Sequence, residues 1–583
     1  MKNWIISNIQ KEAVLEHYID FGDFALSFDG DFVRTFDDSG IYIGIDGYII
    51  PREFCFTEYK HLRETALVMT LFKKYGVDFI RYIKGIFNII LIKDESFFLF
   101  NDRHSVKKFL VYEENGKFIV SNSLSIISDQ VALEIDRENA ALFCLVSHFV
   151  NGNTLYQNLT YSKPATVIEF NKSLNIRHYW IPGELLQSGE KIRSLKEFSE
   201  NWRILIKNFL EYFNPRQIAL TLTGGNDSRL ILATLLTLKA KPKLFSYGDP
   251  LSSDVLTAKR IAEATNLKFS NHFIPEPTED WFRKSSLELI EQGNSLLNIH
   301  RAHRYDAAMN EKEICPNVDL AISGLMGGEY IKEPGFNDLV LPKIFKEISE
   351  KKNYQKRLKL LQSKLIETGI DQSTVDLELI LRRIEEFLSQ TDHLNTKQKI
   401  FVLTYLYYGA THHTQDAQIF NTVLNRGMNP YMDIDFLEAL SSSEFWYLNK
   451  RNRIYRKLFH SKPMVLLTHS LCPKLSDIPY AKKGEYSAND LLGNPFIYLI
   501  KRLIRKLASI RKKSPPNFPM GDWLFQFCLN EVNSIHNGVD RLFENGFLNE
   551  SLLALKNKKQ EKDWHLITNP INLSLILKKY EKK

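Results

Sequence analysis

The stretch LTLTGGNDSR, residues 220–229, decides the fold of the larger half of this chain. It joins an apolar run typical of a buried strand, 218–222, to the helical pattern RLILATLL, 229–236. A strand, a glycine turn and a helix together build an anion site, because glycine lets backbone N–H groups approach a phosphate and the helix directs its positive end toward it. No lysine follows the glycines, so the stretch differs from the common phosphate loop.

The polar residues of this loop indicate which anion it holds. Thr223 and Ser228 offer hydroxyl donors, whereas the carboxylate of Asp227 would repel a bare phosphate. Asp227 fits such a site if it binds Mg²⁺ that in turn bridges phosphate oxygens. Amides, hydroxyls and a carboxylate without a lysine suit a leaving pyrophosphate better than the transfer of a γ-phosphoryl group. A glycine-rich turn without function is the alternative, and the position between a strand and a helix favours the anion site.

The chain on both sides of this loop alternates between helical and strand patterns. A helix is predicted over 195–213, and strands are predicted for KPKLFSYGD (241–249) and VDLAISG (318–324), with the helix SSDVLTAKRIAEATNL (252–267) between them. This alternation predicts an α/β fold with a doubly wound parallel sheet. The remainder is mostly helical, including a charged stretch at 345–400.

Residues 1 to about 130 show a different pattern of short alternating runs joined by Gly, Asp and Asn turns, which predicts strands. The sequence ENGK, 114–117, is a hairpin signal, and a helix is predicted from Arg63 to Gly76. Further strands follow in ATVIEFNKSLNIRHYWIP, 165–182. The region is predicted to be α+β with packed antiparallel sheets. We therefore expect one domain over 1–182, a linker GELLQSGEK, and a second domain over 195–583.

Bulk composition excludes several classes of protein. The 583 residues are 44% hydrophobic and 25% charged, as in ordinary globular proteins, and the formal net charge of +7 is too diffuse to indicate nucleic-acid binding. No run of about 20 apolar residues occurs, so no membrane span is predicted. Scattered cysteines without a CxxC pair are typical of reduced thiols, so we expect a cytoplasmic protein. These cysteines are Cys55, Cys144, Cys315, Cys472 and Cys528.

One segment, FIYLIKRLIRKLASIRKK at 496–513, is basic and has apolar residues at helical spacing. It is typical of a helix that binds a membrane surface or nucleic acid. We favour the simpler interpretation, a surface helix whose apolar stripe contacts the core.

The loop TGGNDS, 223–228, resembles the SGGxDS pyrophosphate loop of the N-type ATP pyrophosphatases. Further stretches in the family's order are similar to the asparagine synthetase-like branch of these proteins, and residues 73–127 resemble its class II glutaminase domain. The resemblance implies an Ntn-hydrolase-like antiparallel sandwich, then an adenine nucleotide α-hydrolase-like parallel sheet with a mostly helical C-terminal part. The matching stretches are YGDPLSSDVLTAKRIAEATNLKF (247–269), ISGLMGGEY (322–330), NPYMDIDFLEAL (429–440), RNRIYRKLF (451–459) and AKKGEY (481–486).

The chain departs from the family at two places. Glutamine-hydrolysing members carry a nucleophilic cysteine after the initiator methionine, where this chain has Lys2, and their NGE segment reads Asp46-Gly47-Tyr48 here. Both changes predict a domain that does not hydrolyse glutamine. The second glycine loop, of the form SGxGxDE in the family, has Leu325 and Gly328 at its acidic positions. Either Glu329 takes over the second Mg²⁺ contact or the enzyme is impaired.

The resemblance implies a site that binds ATP and Mg²⁺. Asp227 and Glu329 would bind the metal, and Lys483, with Lys482 as the alternative, would stabilise charge on the adenylate transition state. Leu222, Ser246 and Tyr247 would flank the adenine, and the backbone at Gly324 would approach the nucleotide. The implied cofactor-binding residues are Leu222, Thr223, Gly224, Gly225, Asn226, Ser228, Tyr247 and Gly324.

The role of one further pair of residues stays open, and a metal site is excluded for another pair. Arg453 and Arg456 either contact phosphates or belong to a plain amphipathic helix. A metal at His412 and His413 is excluded, because adjacent residues on a helix point about 100° apart and rarely share one ion.

The implied activity is an ATP-dependent, AMP-forming ligase that adenylates a small-molecule or peptide carboxylate and passes it to an amine. Family members without the cysteine include β-lactam synthetases and lasso-peptide cyclases, which use an amine already on the substrate. The alternatives are a pseudo-synthetase that binds nucleotide or a partner, and an asparagine synthetase that uses free ammonia. A homodimer is possible on this reading, and no nucleic-acid partner is expected.

Overall fold

The computed structural model describes residues 3–9, 13–30, 33–37, 40–186, 193–331, 342–407, 414–424, 426–449, 462–481, 487–509, 522–558 and 564–581. The strands are β1 Trp4–Ser7, β2 His17–Asp20, β3 Ala25–Phe28, β4 Val33–Phe36, β5 Ile41–Pro51, β6 Ile83–Lys93, β7 Ser96–Asn101, β8 Leu110–Glu114, β9 Lys117–Ser121, β10 Leu159–Tyr161, β11 Thr166–Phe170, β12 Leu174–His178, β13 Ile218–Thr221, β14 Lys243–Tyr247, β15 Phe269–His272, β16 Leu320–Ile322 and β17 Gly427–Met428.

The helices of the described residues include the short elements α1 Phe56–Tyr59, α3 Leu124–Gln130, α10 Gly327–Ile331, α18 Ala488–Leu492 and α21 Asn537–Asp540. The longer ones are α2 Glu64–Tyr75, α4 Arg137–Val146, α5 Leu195–Phe213, α6 Asn226–Thr237, α7 Ser253–Thr265, α8 Glu279–Gln292, α9 Ala302–Ile314, α11 Lys343–Glu350, α12 Tyr354–Glu367, α13 Leu377–Ser389, α14 Thr396–Leu403, α15 Thr414–Leu424, α16 Ile434–Ser441, α17 Lys462–Leu471, α19 Pro495–Ser509, α20 Asp522–Asn533, α22 Phe547–Lys558 and α23 His565–Tyr580.

Two six-stranded antiparallel sheets form the first half of the molecule. Their strand orders are β10-β8-β9-β1-β3-β2 and β12-β11-β7-β6-β5-β4. Alternate residues of the two sheets share one apolar core, with Trp4 and Ile6 on one side and Ile90 and Ile92 on the other. This alternation is the period of two that the sequence pattern predicted. The prediction of packed antiparallel sheets is confirmed.

Local signals in this half gave accurate bounds. The ENGK hairpin joins β8 to β9, and Asn115 and Gly116 have φ angles of 51° and 77°, as a type I′ turn requires. Helix α2 ends at Gly76, whose φ of 57° is a conformation that glycine adopts readily. Both elements were predicted.

A five-stranded parallel sheet forms the centre of the second half, in the order β15-β14-β13-β16-β17. Strand β13 lies in the middle, the chain proceeds to one side through β14 and β15, and it returns to the other side at β16. The predicted parallel sheet is therefore confirmed, although the family names for both folds and the division at 182 and 195 stay predictions. Strand order reverses between β13 and β16, which is where open α/β sheets bind ligands.

The basic segment differs from our preferred interpretation. It forms helix α19, but six of its large apolar residues are exposed, so the prediction that its stripe contacts the core is wrong for these positions. Among the apolar side chains of this helix that the structure describes, Tyr498 and Leu499 pack inward. None of the helices in the described part of the chain is long and apolar enough to cross a membrane.

A buried group of charges connects the two halves. Lys84 of β6 forms ion pairs with Glu53, Asp433 and Asp435 while only 2% of its side chain is exposed. Arg52 adds ion pairs with Asp435 and Glu438 of the same C-terminal segment. Although burial raises the pKa of Asp435, Lys84 and Arg52 lower it well below its ordinary value. The first half thus holds the start of α16 by charge pairing.

Three of these carboxylates, Glu53, Asp433 and Asp435, lie close enough together to hold a metal ion. The Lys84 ammonium contacts all three, with Nζ–O distances of 3.0 Å to Asp433 and Asp435. We conclude that the lysine supplies the positive charge that this group of carboxylates requires.

Replacing Lys84 with methionine tests this conclusion. The change leaves buried carboxylates without their cation, so Lys84→Met is expected to lower the free energy of unfolding by about 3–5 kcal/mol. Denaturant unfolding followed by circular dichroism measures this. The matched control is Lys60→Met, which removes a half-exposed ion pair with Glu211 and is expected to change the same quantity by less than about 1 kcal/mol. Equal losses in the two variants would contradict the assignment.

Candidate active site

The loop after β13 folds tightly around its own hydroxyl groups. The Thr223 N–H donates to Ser228 Oγ at 3.1 Å, and the Gly225 N–H donates to Thr223 Oγ1 at 3.3 Å. Gly225 caps α6 without a side-chain hydrogen bond to the helix. Because the first N–H groups of a helix have no intrahelical acceptor, this end of α6 presents donors and a positive dipole to an anion.

Gly224 brings a distant segment against this loop. A Cβ at this position would lie 2.2 Å from Ala481 Cβ, and the Ala481 N–H donates to Gly224 O at 3.2 Å. The fully buried Arg229 of α6 holds the same segment through the carbonyls of Leu475, Ile478 and Pro479. Ala481 directly precedes Lys482 and Lys483 in the sequence.

The second glycine loop, between β16 and α10, packs directly on the first. A Cβ at Gly327 would lie 3.0 Å from Asp227 Cγ, and a Cβ at Gly324 would lie 3.0 Å from Ser228 N. Between them the buried Met326 adopts a φ of 67°, which costs energy for a residue with a side chain. The backbone at Gly324 therefore lies close to the N-terminus of α6.

Two side-chain oxygen atoms at the contact between the two loops are buried without a hydrogen-bond partner among the described residues. Asp227 Oδ1 and Asn226 Oδ1 accept no hydrogen bond from the described residues. A second carboxylate, that of Asp254 in α7, accepts the Gly224 N–H at 3.1 Å. Buried oxygens without donors suit a hard cation such as Mg²⁺, so the residues present fit the metal that the sequence implies.

A cavity of about 610 Å³ opens beside these loops, at the carboxyl ends of four parallel strands. Thr221, Tyr247 and His272 come from the ends of β13, β14 and β15, and Leu325 from the second loop. Helices α9 and α15 close the other side.

Charged side chains line one wall of this cavity. Arg304 forms an ion pair with Asp416 at 2.8 Å and lies over the ring of Tyr247, with 5.3 Å between its Cζ and the ring centroid. His272 Nε2 lies 2.6 Å from Asp306 Oδ2. These pairs anchor the wall and give it polar groups that can orient a ligand.

Glu311 of α9 lies in the same cavity lining and is almost fully buried. Burial raises the pKa of Glu311 to about 8, so this carboxyl group holds its proton at neutral pH. In that state it can donate a hydrogen bond into the cavity, which an ionised carboxylate cannot do.

The structure brings most of the predicted residues to one edge of the sheet, but not into identical surroundings. Tyr247 lines the cavity, whereas Leu222 is fully buried in the apolar core behind the loop. Glu329 lies on α10, two residues after Gly327, and is partly exposed. The residues predicted at Lys482, Lys483, His412, His413, Arg453 and Arg456 lie outside the described residues.

Several residues of the site were not predicted from the sequence. Asp254 stands in a stretch that we matched to the family, and its place in the first turn of the helix after a parallel strand was an available signal. Arg304, Glu311 and Asp416 gave no such signal, because their pairing and burial depend on the packing of α9 against α15.

Neither of the two cysteines in the first half, Cys55 and Cys144, has an activated thiol. Cys55 is buried, its Sγ donates to the carbonyls of Arg52 and Tyr82, and burial raises its pKa to about 11. Burial also raises the pKa of the thiols of Cys144, Cys315 and Cys528. Asp46 pairs with Lys107, and the Tyr48 hydroxyl donates to Gly427 O. Asp46 and Tyr48 are therefore engaged in internal contacts.

No protein-family model and no curated protein sequence matches this chain. Among solved structures, it is similar to one described as the allosteric regulatory enzyme of purine biosynthesis, with 6% identity over 47% of this chain and 74% of that one, at a TM-score of 0.20. It is also similar to the glutamine phosphoribosylpyrophosphate amidotransferase of B. subtilis complexed with ADP and GMP, with 9% identity, 48% and 64% coverage and a TM-score of 0.19. The chain thus spans just under two thirds of the second structure. Likenesses this distant identify neither a family nor an activity.

The protonated state of Glu311 predicts a pH dependence. Its pKa is raised from 4.5 in the unfolded chain to about 8 in the fold, so the folded state binds more protons within this window and stability falls as pH rises through it. Glu311→Gln cannot ionise, so its gain in the free energy of unfolding over wild type should grow between these pH values and then level off. Denaturant unfolding at pH values below, within and above the window measures this.

The control is Glu313→Gln, on the same helix but exposed to solvent. Its difference from wild type should not vary with pH. A Glu311→Gln variant that follows Glu313→Gln across the window would show that Glu311 is ionised in the fold.

Proposed function

We propose that this chain is an ATP-dependent ligase that activates a carboxylate as an acyl-adenylate, releases pyrophosphate, and passes the acyl group to an amine. The observation that carries the proposal is the loop at the strand-order reversal, where the donor end of α6 meets the unpartnered oxygens of Asp227 and Asn226. This arrangement supports a site in which a strongly anionic ligand and a cation would bind side by side.

The pyrophosphate of ATP would lie against the N-terminus of α6. The N–H groups of the first turn would bind its oxygens, and the Thr223 and Ser228 hydroxyls, which now contact each other, would turn toward it. This arrangement stabilises charge where it develops as the bond between the α-phosphate and the pyrophosphate breaks.

Asp227, with Glu329 from the second loop, would hold Mg²⁺. Bound there, the ion would neutralise phosphate charge and so favour departure of pyrophosphate. Asp227 and Asp254 together bring negative charge to the loop, so an anion needs such a counter-charge to bind. The loss of acidic residues at Leu325 and Gly328 leaves Glu329 as the remaining carboxylate of the second loop.

A lysine near the α-phosphate would complete the charge balance. Ala481 contacts Gly224, and Lys483 follows Ala481 two positions later in the sequence. The segment before it is fixed by Arg229, whose guanidinium lies over Tyr480 with 4.0 Å between its Cζ and the ring centroid. We propose Lys483 as the group that stabilises the adenylate transition state, with Lys482 as the alternative.

The cavity would hold the adenosine part of ATP. Its walls at Phe245, Tyr247 and Leu325 are apolar or aromatic, as a purine ring requires, while Ser246 and protonated Glu311 offer polar contacts. The carboxylate substrate would meet the α-phosphate at the mouth of this cavity.

The amine is proposed to come from a source other than glutamine. Four of the five cysteines are buried and have raised thiol pKa values, and Cys472 is partly buried against the apolar core. An amine already on the substrate, or free ammonia as in an ammonia-dependent asparagine synthetase, fits a chain without this nucleophile.

A binding protein without turnover is the second candidate function. Two observations favour it. The second loop is altered, and the Gly224 N–H donates its hydrogen bond to the carboxylate of Asp254, so it is not available to a phosphate. Such a protein would bind ATP but release no pyrophosphate.

ATP–pyrophosphate exchange with a panel of carboxylic acids, including aspartate, tests the proposal. We expect exchange with at least one acid, and Asp227→Asn should slow it by at least about a hundredfold because it removes a charge that the metal requires. The matched control is Asp280→Asn, since Asp280 is likewise the second residue of its helix but lies in α8. This control should exchange at the wild-type rate.

Calorimetry with ATP separates the two candidates. Tight ATP binding without exchange for any acid would support the binding protein. Equal exchange by Asp227→Asn and Asp280→Asn would show that the loop after β13 is not the reaction site.

A further inference from the structure

Helix α19, residues Pro495–Ser509, exposes an apolar surface that nothing in the described part of the chain covers. Six large apolar side chains are between 49% and 73% exposed, although residues of this kind are usually buried. They are Phe496, Ile497, Ile500, Leu503, Ile504 and Leu507. We refer to these six residues as the α19 stripe.

The helix is held firmly on its other side. Tyr498 is 1% exposed and packs with Leu499 against Val465, Ala488 and Leu491. Lys501 pairs with Asp490 of the preceding helix, α18. The α19 stripe is therefore presented by an anchored element.

The helical register segregates apolar and basic positions. At 100° per residue, positions 496, 500, 503, 504 and 507 fall within about 100° of one another, and positions 501, 502 and 505 fall outside this sector. The sequence of α19, residues 495–509, contains no acidic residue and four basic ones, Lys501, Arg502, Arg505 and Lys506. An apolar sector with basic residues on the remaining surface is the composition of helices that lie in the interface of an anionic membrane.

We propose that α19 is a docking surface for an anionic lipid bilayer, with the α19 stripe immersed at the boundary between headgroups and acyl chains. The helix has 15 residues and is about 22 Å long, too short to cross a hydrocarbon core of about 30 Å, so it lies in the plane of the surface. The basic residues meet the negative headgroups.

The charge and the apolar surface of α19 favour a bilayer over a second copy of the chain and over a nucleic acid. A second copy of the chain, docked helix to helix, would bring together two helices that each carry four basic residues and no acidic one, and these repel each other. A nucleic acid would satisfy the basic residues but leave the α19 stripe in water, because phosphates offer no apolar surface. A bilayer with anionic headgroups satisfies both properties at once. This inference is independent of the ligase proposal.

Flotation of the full-length protein with lipid vesicles tests the inference. Vesicles of phosphatidylcholine mixed with phosphatidylserine should carry the protein, vesicles of phosphatidylcholine alone should carry much less, and added salt should weaken binding. Leu503→Asp should lower the affinity for the mixed vesicles by at least about tenfold, since it removes a leucine that the bilayer would bury and adds a negative charge.

The matched control is Leu553→Asp, on α22. Leu553 is 59% exposed, against 62% for Leu503, and lies outside the α19 stripe. It should bind vesicles like wild type, and circular dichroism of both variants verifies that they are folded.

Three outcomes would overturn the inference. The first is a wild-type protein that does not float with the mixed vesicles, or that loses binding equally in the two variants. The second is a wild-type dimer in sedimentation that Leu503→Asp dissociates, which would make a second copy the occupant. The third is duplex DNA binding that persists in Leu503→Asp while vesicles are ignored.

Discussion

The parallel pairing of β13 with β16 is the contact on which the candidate site depends. It aligns Ile218 with Leu320 and Leu220 with Ile322, across about 100 residues of sequence. Because both strands run in the same direction, the two glycine loops emerge at the same edge of the sheet. The chain departs from this pair to opposite sides, toward β14 and toward β17, and this divergence leaves room there for a ligand. The cavity and both loops lie at this edge.

The short distance between the two glycine loops then determines which chemical groups meet at this edge of the sheet. Only hydrogen atoms at positions 324 and 327 allow the second loop to reach the first turn of α6, since a Cβ at Gly327 would meet both Asp227 and Tyr431. Tyr431 also donates to Asp227 O, which fixes this residue from a third segment. The consequence is a carboxylate held in place by its backbone, while its Oδ1 accepts no hydrogen bond from the described residues. Burial of this oxygen without a partner is unfavourable, and the proposed Mg²⁺ would relieve that cost.

Sequence patterns predicted the elements whose causes are local. Helix α5 begins at Leu195 and ends at Phe213 as predicted, because Ser194 and Glu197 form a capping box at its start. The two-residue strand β17 was not predicted, since a strand this short has no period and depends on its pairing with β16. The same reasoning applies to the site. Glycines and Asp227 were evident from one loop, whereas Glu311 acquires its raised pKa only from the packing of α9 against distant helices. The stripe of α19 was assigned to the core because periodicity shows that a helix has an apolar side, but not what that side contacts.

The charge group around Lys84 gives the first half a role that needs no thiol. Lys84 and Arg52 pair with Asp433 and Asp435, which begin α16, and the Tyr48 hydroxyl donates to Gly427 O in β17. Between these two attachment points lies Tyr431, which contacts Asp227. The antiparallel half therefore supports the segment that positions the carboxylate of Asp227. Buried ion pairs are costly to break on one side, so this support constrains both halves together. The first half can thus be necessary for the geometry of the second, whatever chemistry it carries itself.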